Sequence, residues 1–201
     1  MPKDEAQHLA ARIKGCRLCA ARFAATRTAH APRPVPWFDA RARLLVAGQA
    51  PGTRVHASGR PFDDRSGARL REWLGLDEAA FYDRSRVAIV PMAFCFPGQD
   101  ARGADLAPPR VCAQTWHAQV MRALPRLRLR VVIGAHALRW HLGAHGNVTR
   151  AVADWRAHAP DCFPLPHPSW RNTAWLRRNP WFEAELVPRL REQVARVMTD
   201  D

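Results

Sequence analysis

Four of the five cysteines have spacings that suit a shared thiolate site. Cys16-Arg17-Leu18-Cys19 is a pair two residues apart, and Cys95 and Cys112 form a wider pair with 16 residues between them. Thiolates in fours hold zinc or an iron–sulfur cluster, whereas cysteines without a metal behave as small buried hydrophobes. Cys162 lies in an apolar stretch and reads as a core thiol. His167 stands between Pro166 and Pro168, which makes a stiff loop and not a core strand. An imidazole held there can hydrogen-bond a ligand through either ring nitrogen. Gly48-Gln49-Ala50-Pro51-Gly52 is a tight turn whose glycines let a ligand approach the backbone. Asp63 and Asp64 follow Phe62 directly. They can serve as a base for water or as the N-terminal cap of the next helix. After His167, the residues Trp170, Arg171, Trp175, Arg177, Arg178 and Trp181 mix rings with cations. That mixture suits stacked bases and gripped phosphates, although Trp175 and Trp181 are also candidates for the core of the last helix.

These groups need a frame, and the hydrophobic pattern supplies one. Residues 43–48, 87–91 and 130–134 are short apolar runs ended by Gly or Pro, and residues 162–166 form a weaker fourth. Such runs read as buried strands. Helical periodicity covers residues 4–18, 66–74, 110–123, 135–142 and 181–198, with Ser66 as the expected N-cap of the second. Strands that alternate with helices imply a three-layer α/β/α sandwich around a central parallel sheet of about four strands. One domain over residues 1–201 is the simplest division, because no repeat or low-complexity linker interrupts the chain. In such sheets the crevice lies beyond the carboxyl ends of the strands. The Gly48 turn and the His167 loop both follow such ends.

Composition limits the function classes. At 201 residues with 47% apolar content, the chain can bury about 70% of its surface and needs no staples to fold. No apolar run reaches the roughly 18 residues of a membrane span. The first residues carry acids and lack an apolar signal core, so a cytoplasmic protein is expected. An odd number of cysteines argues against a disulfide framework. Lys and Arg total 31 against 18 acids, for a formal charge of +13, and only Lys3 and Lys14 are lysines. Arginine forks suit phosphate oxygens, and an excess of this size favours nucleic acid as the partner.

The Gly-x-Ala-Pro-Gly turn at Gly48–Gly52, the Gly59-Arg60-Pro61-Phe62 stretch and Ser66-Gly67-Ala68-Arg69-Leu70 together resemble the first motif of the uracil-DNA glycosylase superfamily. The likeness is closest to its iron–sulfur branch, called family four. His167-Pro168-Ser169 resembles the second motif. The resemblance implies that Gly48, Ala50, Pro51, Gly52 and Phe62 form the base pocket, with Phe62 stacked on a flipped base. It implies that Gln49 faces the attacking water and that His167 bonds a carbonyl oxygen of the departing base. Ser169, Trp170, Arg171 and Asn172 would then enter the DNA groove. It further implies that Cys16, Cys19, Cys95 and Cys112 ligate a 4Fe-4S cluster, with zinc as the alternative in the same site. Two positions depart from the family-four pattern. Gln49 stands where that branch has Glu, and Pro91 where it has an Asn that reads the edge of uracil.

The expectation is a monomeric DNA-repair glycosylase that hydrolyses the N-glycosidic bond of a flipped damaged base, uracil or a related deaminated base, in duplex or single-stranded DNA. Water would be held by Gln49, Asp63 or Asp64. Two alternatives stand beside it. One is a catalytically weak or inactive DNA-binding relative, motivated by Gln49 and Pro91. The other is a hydrolase of free nucleotides on the same fold.

Overall fold

The computed structural model describes residues 2–143 and 146–199. Four strands, β1 (Leu44–Ala47), β2 (Val87–Ile89), β3 (Leu129–Ile133) and β4 (Cys162–Leu165), pair in parallel in the order β2-β1-β3-β4. All four expected strands are therefore present. Every residue of β1, β2 and β4 is buried, because helices cover both faces and leave no side of the strand for polar residues.

Alternation along the strands divides the core in two. Leu44 and Val46 of β1 point into one layer, with Val131 of β3 and Phe163 of β4. Leu45 and Ala47 point into the other, with Ala88 and Val132. The first layer is closed by α4 (Arg65–Leu74) and α10 (Val187–Thr199), and the second by α1 (Pro2–Lys14), α6 (Arg110–Arg122) and α7 (Gly134–Leu142). The remaining helices are short: α2 (Ala20–Ala24), α3 (Thr53–Ser58), α5 (Glu78–Tyr82), α8 (Val148–Ala153) and α9 (Thr173–Arg178). The result is the expected three-layer α/β/α sandwich.

Two expected boundaries are corrected. The first helix stops at Lys14 rather than near Leu18, and the Gly15 N–H closes its last turn on the Ala11 carbonyl. Ser66 is not the cap of α4; it lies inside the helix, and the Asp64 carboxylate accepts the Gly67 N–H at 3.0 Å. The terminal helix runs from Trp181 to Thr199, as expected, but not as a regular α-helix throughout. A wide π turn over Phe182–Leu186 precedes α10, just before Pro188. A proline ring clashes with the carbonyl four residues back in a regular helix, and a wider turn relieves that conflict.

The chain leaves β1 towards β2 on one side, while β3 lies on the other. That switch in direction opens a crevice at the carboxyl end of β1. Both the Gly48 turn and the loop after β4 empty into it.

Candidate active site

A cleft of about 570 Å³ lies beyond the strand ends. One wall is the turn after β1, where Gly48, Gln49, Ala50, Pro51 and Gly52 all reach the cleft. The turn is tied to the chain after β2. The Met92 N–H donates to the Gly48 carbonyl at 2.9 Å and the Ala93 N–H to the Gln49 carbonyl at 3.2 Å. These bonds extend the β1–β2 ladder past the strand ends and fix where the Gln49 amide projects.

Phe62 packs against that turn. A β-carbon placed on Gly48 would lie 3.4 Å from the Phe62 ring tip, so the missing side chain brings ring and turn into contact. The Phe62 backbone has φ +53, a left-handed conformation that is strained for an aromatic residue by roughly 1–3 kcal/mol. Its carbonyl accepts the Tyr82 hydroxyl at 3.1 Å, and its ring meets Phe81 edge-on at 6.1 Å. Those contacts hold a conformation the residue would not choose alone.

The opposite wall comes from the loop after β4. His167, Ser169, Arg171 and Asn172 all line the cleft. The Ser169 N–H donates to His167 Nδ1 at 3.2 Å. A nitrogen that accepts is unprotonated, so the proton of the neutral ring sits on Nε2, and Nε2–H is the donor the loop offers. Asn172 Nδ2 donates to the His167 carbonyl at 2.7 Å and steadies the same residue. The ring is partly open to solvent. Even so, the protein packed around it lowers its pKa below the ordinary histidine value, while the Asp64 carboxylate pulls the other way. A neutral donor in a cleft wall can stabilise negative charge that develops on a ligand oxygen.

Not every expected residue reaches the cleft. Asp64 lines it, but Asp63 does not. One Asp64 oxygen is also committed to the cap of α4. Trp170 is 66% exposed and stands outside the cleft wall, with the Arg171 guanidinium 5.8 Å from its ring. Pro91 is buried in the wall and offers no side-chain donor or acceptor. Behind it, His117 Nε2 lies 2.9 Å from the Pro91 carbonyl.

Two contributions escaped the sequence reading. Gln99, Gly103, Ala104 and Asp105 form part of the cleft, from the loop between Cys95 and Cys112. Arg69 of α4 braces the far wall. Its Nη1 donates to the Ser169 carbonyl at 3.1 Å and its Nη2 to Thr173 Oγ1 at 3.5 Å. The turn signal Asp100-x-x-Gly103 was available for the first; no local pattern marks the second.

Away from the cleft, Cys16, Cys19, Cys95 and Cys112 line one apolar pocket with Ile13, Phe23, Phe94 and Trp116. Cys112 lies in the first turn of α6, and its sulfur accepts the Phe94 N–H at 3.4 Å. Burial pushes the Cys95 thiol up to about 12, and the neighbouring Cys112, Cys16 and Cys19 add to the shift. Among the described residues, no three His, Cys, Asp or Glu side chains are close enough to hold one metal ion. A single zinc needs its thiolates about 2.3 Å from one centre. A cluster spreads four thiolates over four irons. Cys162 is buried in β4, as expected of a core thiol.

The family model described as "Uracil DNA glycosylase superfamily" matches residues 35–191. The chain belongs to that superfamily, whose members act on DNA, and a glycosylase type of function is suggested by the membership. The matched segment contains the whole cleft, Cys95 and Cys112; Cys16 and Cys19 precede it. Among the described residues, no helix is long and apolar enough to cross a membrane.

Proposed function

We propose that this member of the superfamily hydrolyses the N-glycosidic bond of a damaged base, uracil or a related deaminated base, flipped out of DNA into the cleft. One observation carries the reading. The Phe62 ring, the Gly48–Gly52 turn and the His167 ring meet in a single cleft at the carboxyl ends of parallel strands. A flipped base stacks on Phe62, a contact worth about 1–3 kcal/mol. The turn lies alongside it, and His167 Nε2–H bonds the base oxygen where negative charge grows as the bond breaks. Gln49 holds a water but cannot take its proton, because an amide is not a base. Ser169, Trp170, Arg171 and Asn172 meet the DNA strand, with exposed Trp170 suited to fill the gap left by the flipped base.

In this reading a 4Fe-4S cluster is held by Cys16, Cys19, Cys95 and Cys112. Four thiols around one apolar pocket fit that donor set. Its contribution is structural. The cysteines tie the segment after α1 to the chain after β2 and to the start of α6.

The reading is tested by base release from duplex and single-stranded oligonucleotides carrying uracil, hypoxanthine or xanthine, beside a His167→Ala control. Release that the control abolishes supports it. A folded protein that binds these DNAs and releases no base refutes it. That result would favour the DNA-binding relative without chemistry, to which neutral Gln49 and apolar Pro91 in the cleft already point.

A further inference from the structure

We infer that Asp105 is the catalytic residue that takes the proton from the attacking water, an assignment that rests on the glycosylase reading above. The cleft needs a carboxylate that water can reach, and the other candidates fall short. Gln49 is neutral. Asp63 lies outside the cleft, and Asp64 lines it as the N-cap of α4 with one oxygen engaged, as Asp105 also has, so what sets Asp105 apart is its place over the Gly48–Gly52 turn. Asp105 lines the cleft and is exposed to solvent. Its Oδ2 sits 3.7 Å from where a β-carbon on Gly52 would be, which places it over the turn that carries Gln49. Among the described residues Oδ2 has no hydrogen-bond partner, while Oδ1 accepts from Gln99 Nε2 at 3.3 Å.

The loop that carries this carboxylate is braced. Gln99 and Asp105 form an antiparallel bridge. The Leu106 N–H donates to the Gly98 carbonyl and the Asp100 N–H to the Ala104 carbonyl, both at 2.9 Å. Asp100 Oδ1 accepts the Arg102 and Ala104 N–H groups, also at 2.9 Å. These bonds hold one oxygen of Asp105 fixed and leave the other free to accept.

The step balances. Asp105 Oδ2 accepts one proton of the water, and the water oxygen bonds to C1′ of the sugar. The electron pair of the C1′–N bond leaves with the base, whose anion His167 Nε2–H stabilises. The proton on Asp105 then passes to solvent or to the released base. A carboxylate in a DNA cleft repels phosphate, so this group works against binding while it serves the chemistry.

The experiment is single-turnover base release by Asp105→Asn across pH, beside the affinity of the same variant for substrate DNA. General base catalysis contributes about 100- to 10,000-fold. The expected result is a rate at least about 100-fold below wild type and DNA affinity equal to or tighter than wild type. Gln99→Ala, which loosens the carboxylate without removing it, should lower the rate by about tenfold. An active wild type with Asp105→Asn within threefold of it overturns the role of Asp105 and leaves the glycosylase reading standing. A wild type that binds DNA and releases no base overturns both.

Discussion

A β-carbon on Gly67 would lie 1.8 Å from the Phe62 carbonyl oxygen and 2.9 Å from the Phe62 β-carbon. Five residues apart, the two backbones touch, and the touch is possible only because position 67 has no side chain. Phe62 is thus held in its left-handed conformation from two sides, by α4 at Gly67 and by the Tyr82 hydroxyl. Gly67→Ala cannot be absorbed by a flexible side chain, since the obstructing atoms are the Phe62 carbonyl group and the β-carbon fixed to its backbone. It should destabilise the protein by about 1–3 kcal/mol, as overpacking does, and lower Tm by several degrees at this chain length. It should also move the Phe62 ring off the Gly48 turn and slow base release by about 100-fold, because a displacement near 1 Å is enough for such a loss. Thermal unfolding and single-turnover rates check both. A stable variant at full rate would mean that Phe62 does not depend on this contact.

Arg69→Ala tests the brace behind the His167 loop. Arg69 does not line the cleft; it bonds the carbonyl of cleft-lining Ser169 and the Thr173 hydroxyl. Its removal leaves the loop from His167 to Asn172 with fewer anchors, while the bonds within the loop remain. DNA affinity should fall about 5- to 20-fold, with a smaller change in the single-turnover rate at saturation. Arg69→Lys should restore little, since one ammonium cannot bridge two acceptors as a guanidinium fork does. Equal losses for Ala and Lys in affinity, with the melting temperature unchanged, identify positioning. A drop in Tm alone would make Arg69 a purely structural residue.

How far the site could be read from residues alone depended on where its order comes from. Val46, Ile89, Val131 and Phe163 lie in apolar runs that end in Gly or Pro, and such runs have few folded states other than buried parallel strands. Once the strands were placed, His167 and the Gly48 turn followed, because both come directly after strand ends. Asp105 was illegible for the opposite reason. Its position is set by a backbone bridge to Gln99 and by the Asp100 carboxylate, and neither leaves a periodic trace. Ser66 and Asp64 are both good caps by type. Only the geometry of the Gly67 N–H separates them, and it selects Asp64. Asp63 and Asp64 are neighbours in sequence, and only Asp64 reaches the cleft.

Acid should destabilise the fold through His117 of α6, which is buried, and His141 of α7, which is half-buried. Burial lowers the His141 pKa to about 4, helped by His117 and Arg130, and burial also lowers that of His117. Among the described residues, His141 Nε2 and His117 Nδ1 are buried with no hydrogen-bond partner, so a proton on either would add a charge with no described acceptor to receive it. Their folded-state pKa values lie below the unfolded value, so the unfolded chain binds protons first as pH falls. Stability is therefore complete above the ordinary histidine pKa near 6.5 and declines as pH falls from there towards 4. For His141 the loss reaches up to about 3 kcal/mol. Urea unfolding at a series of pH values should give that slope, and His141→Leu should flatten it. His167 shifts in the same direction, so base release that depends on its neutral ring should persist below pH 6.5. A slope unaltered in His141→Leu would place the acid sensitivity elsewhere.

The cysteine pocket yields the last prediction. Burial pushes Cys112 up to about 11 and Cys95 to about 12, so both are protonated thiols at neutral pH when nothing binds them. A thiolate-bound cluster must displace those protons, and its assembly should weaken as pH falls. Cys19 is the informative residue to change. It is only partly buried, so Cys19→Ser without any cluster should alter stability by about 0.5 kcal/mol or less. If a cluster is held there, the same change removes one of its four ligands and should lower Tm by 5 °C or more, taking iron and the broad visible absorbance with it. Base release at low temperature should survive within a few-fold, because the cleft is lined by other residues. Wild-type protein purified without oxygen, assayed for iron and zinc and melted beside Cys19→Ser, separates the cases. Iron near four atoms per chain with a large drop in Tm supports the cluster, and zinc near one atom per chain supports the alternative. Neither metal, with identical melting, would leave the four cysteines as ordinary core thiols.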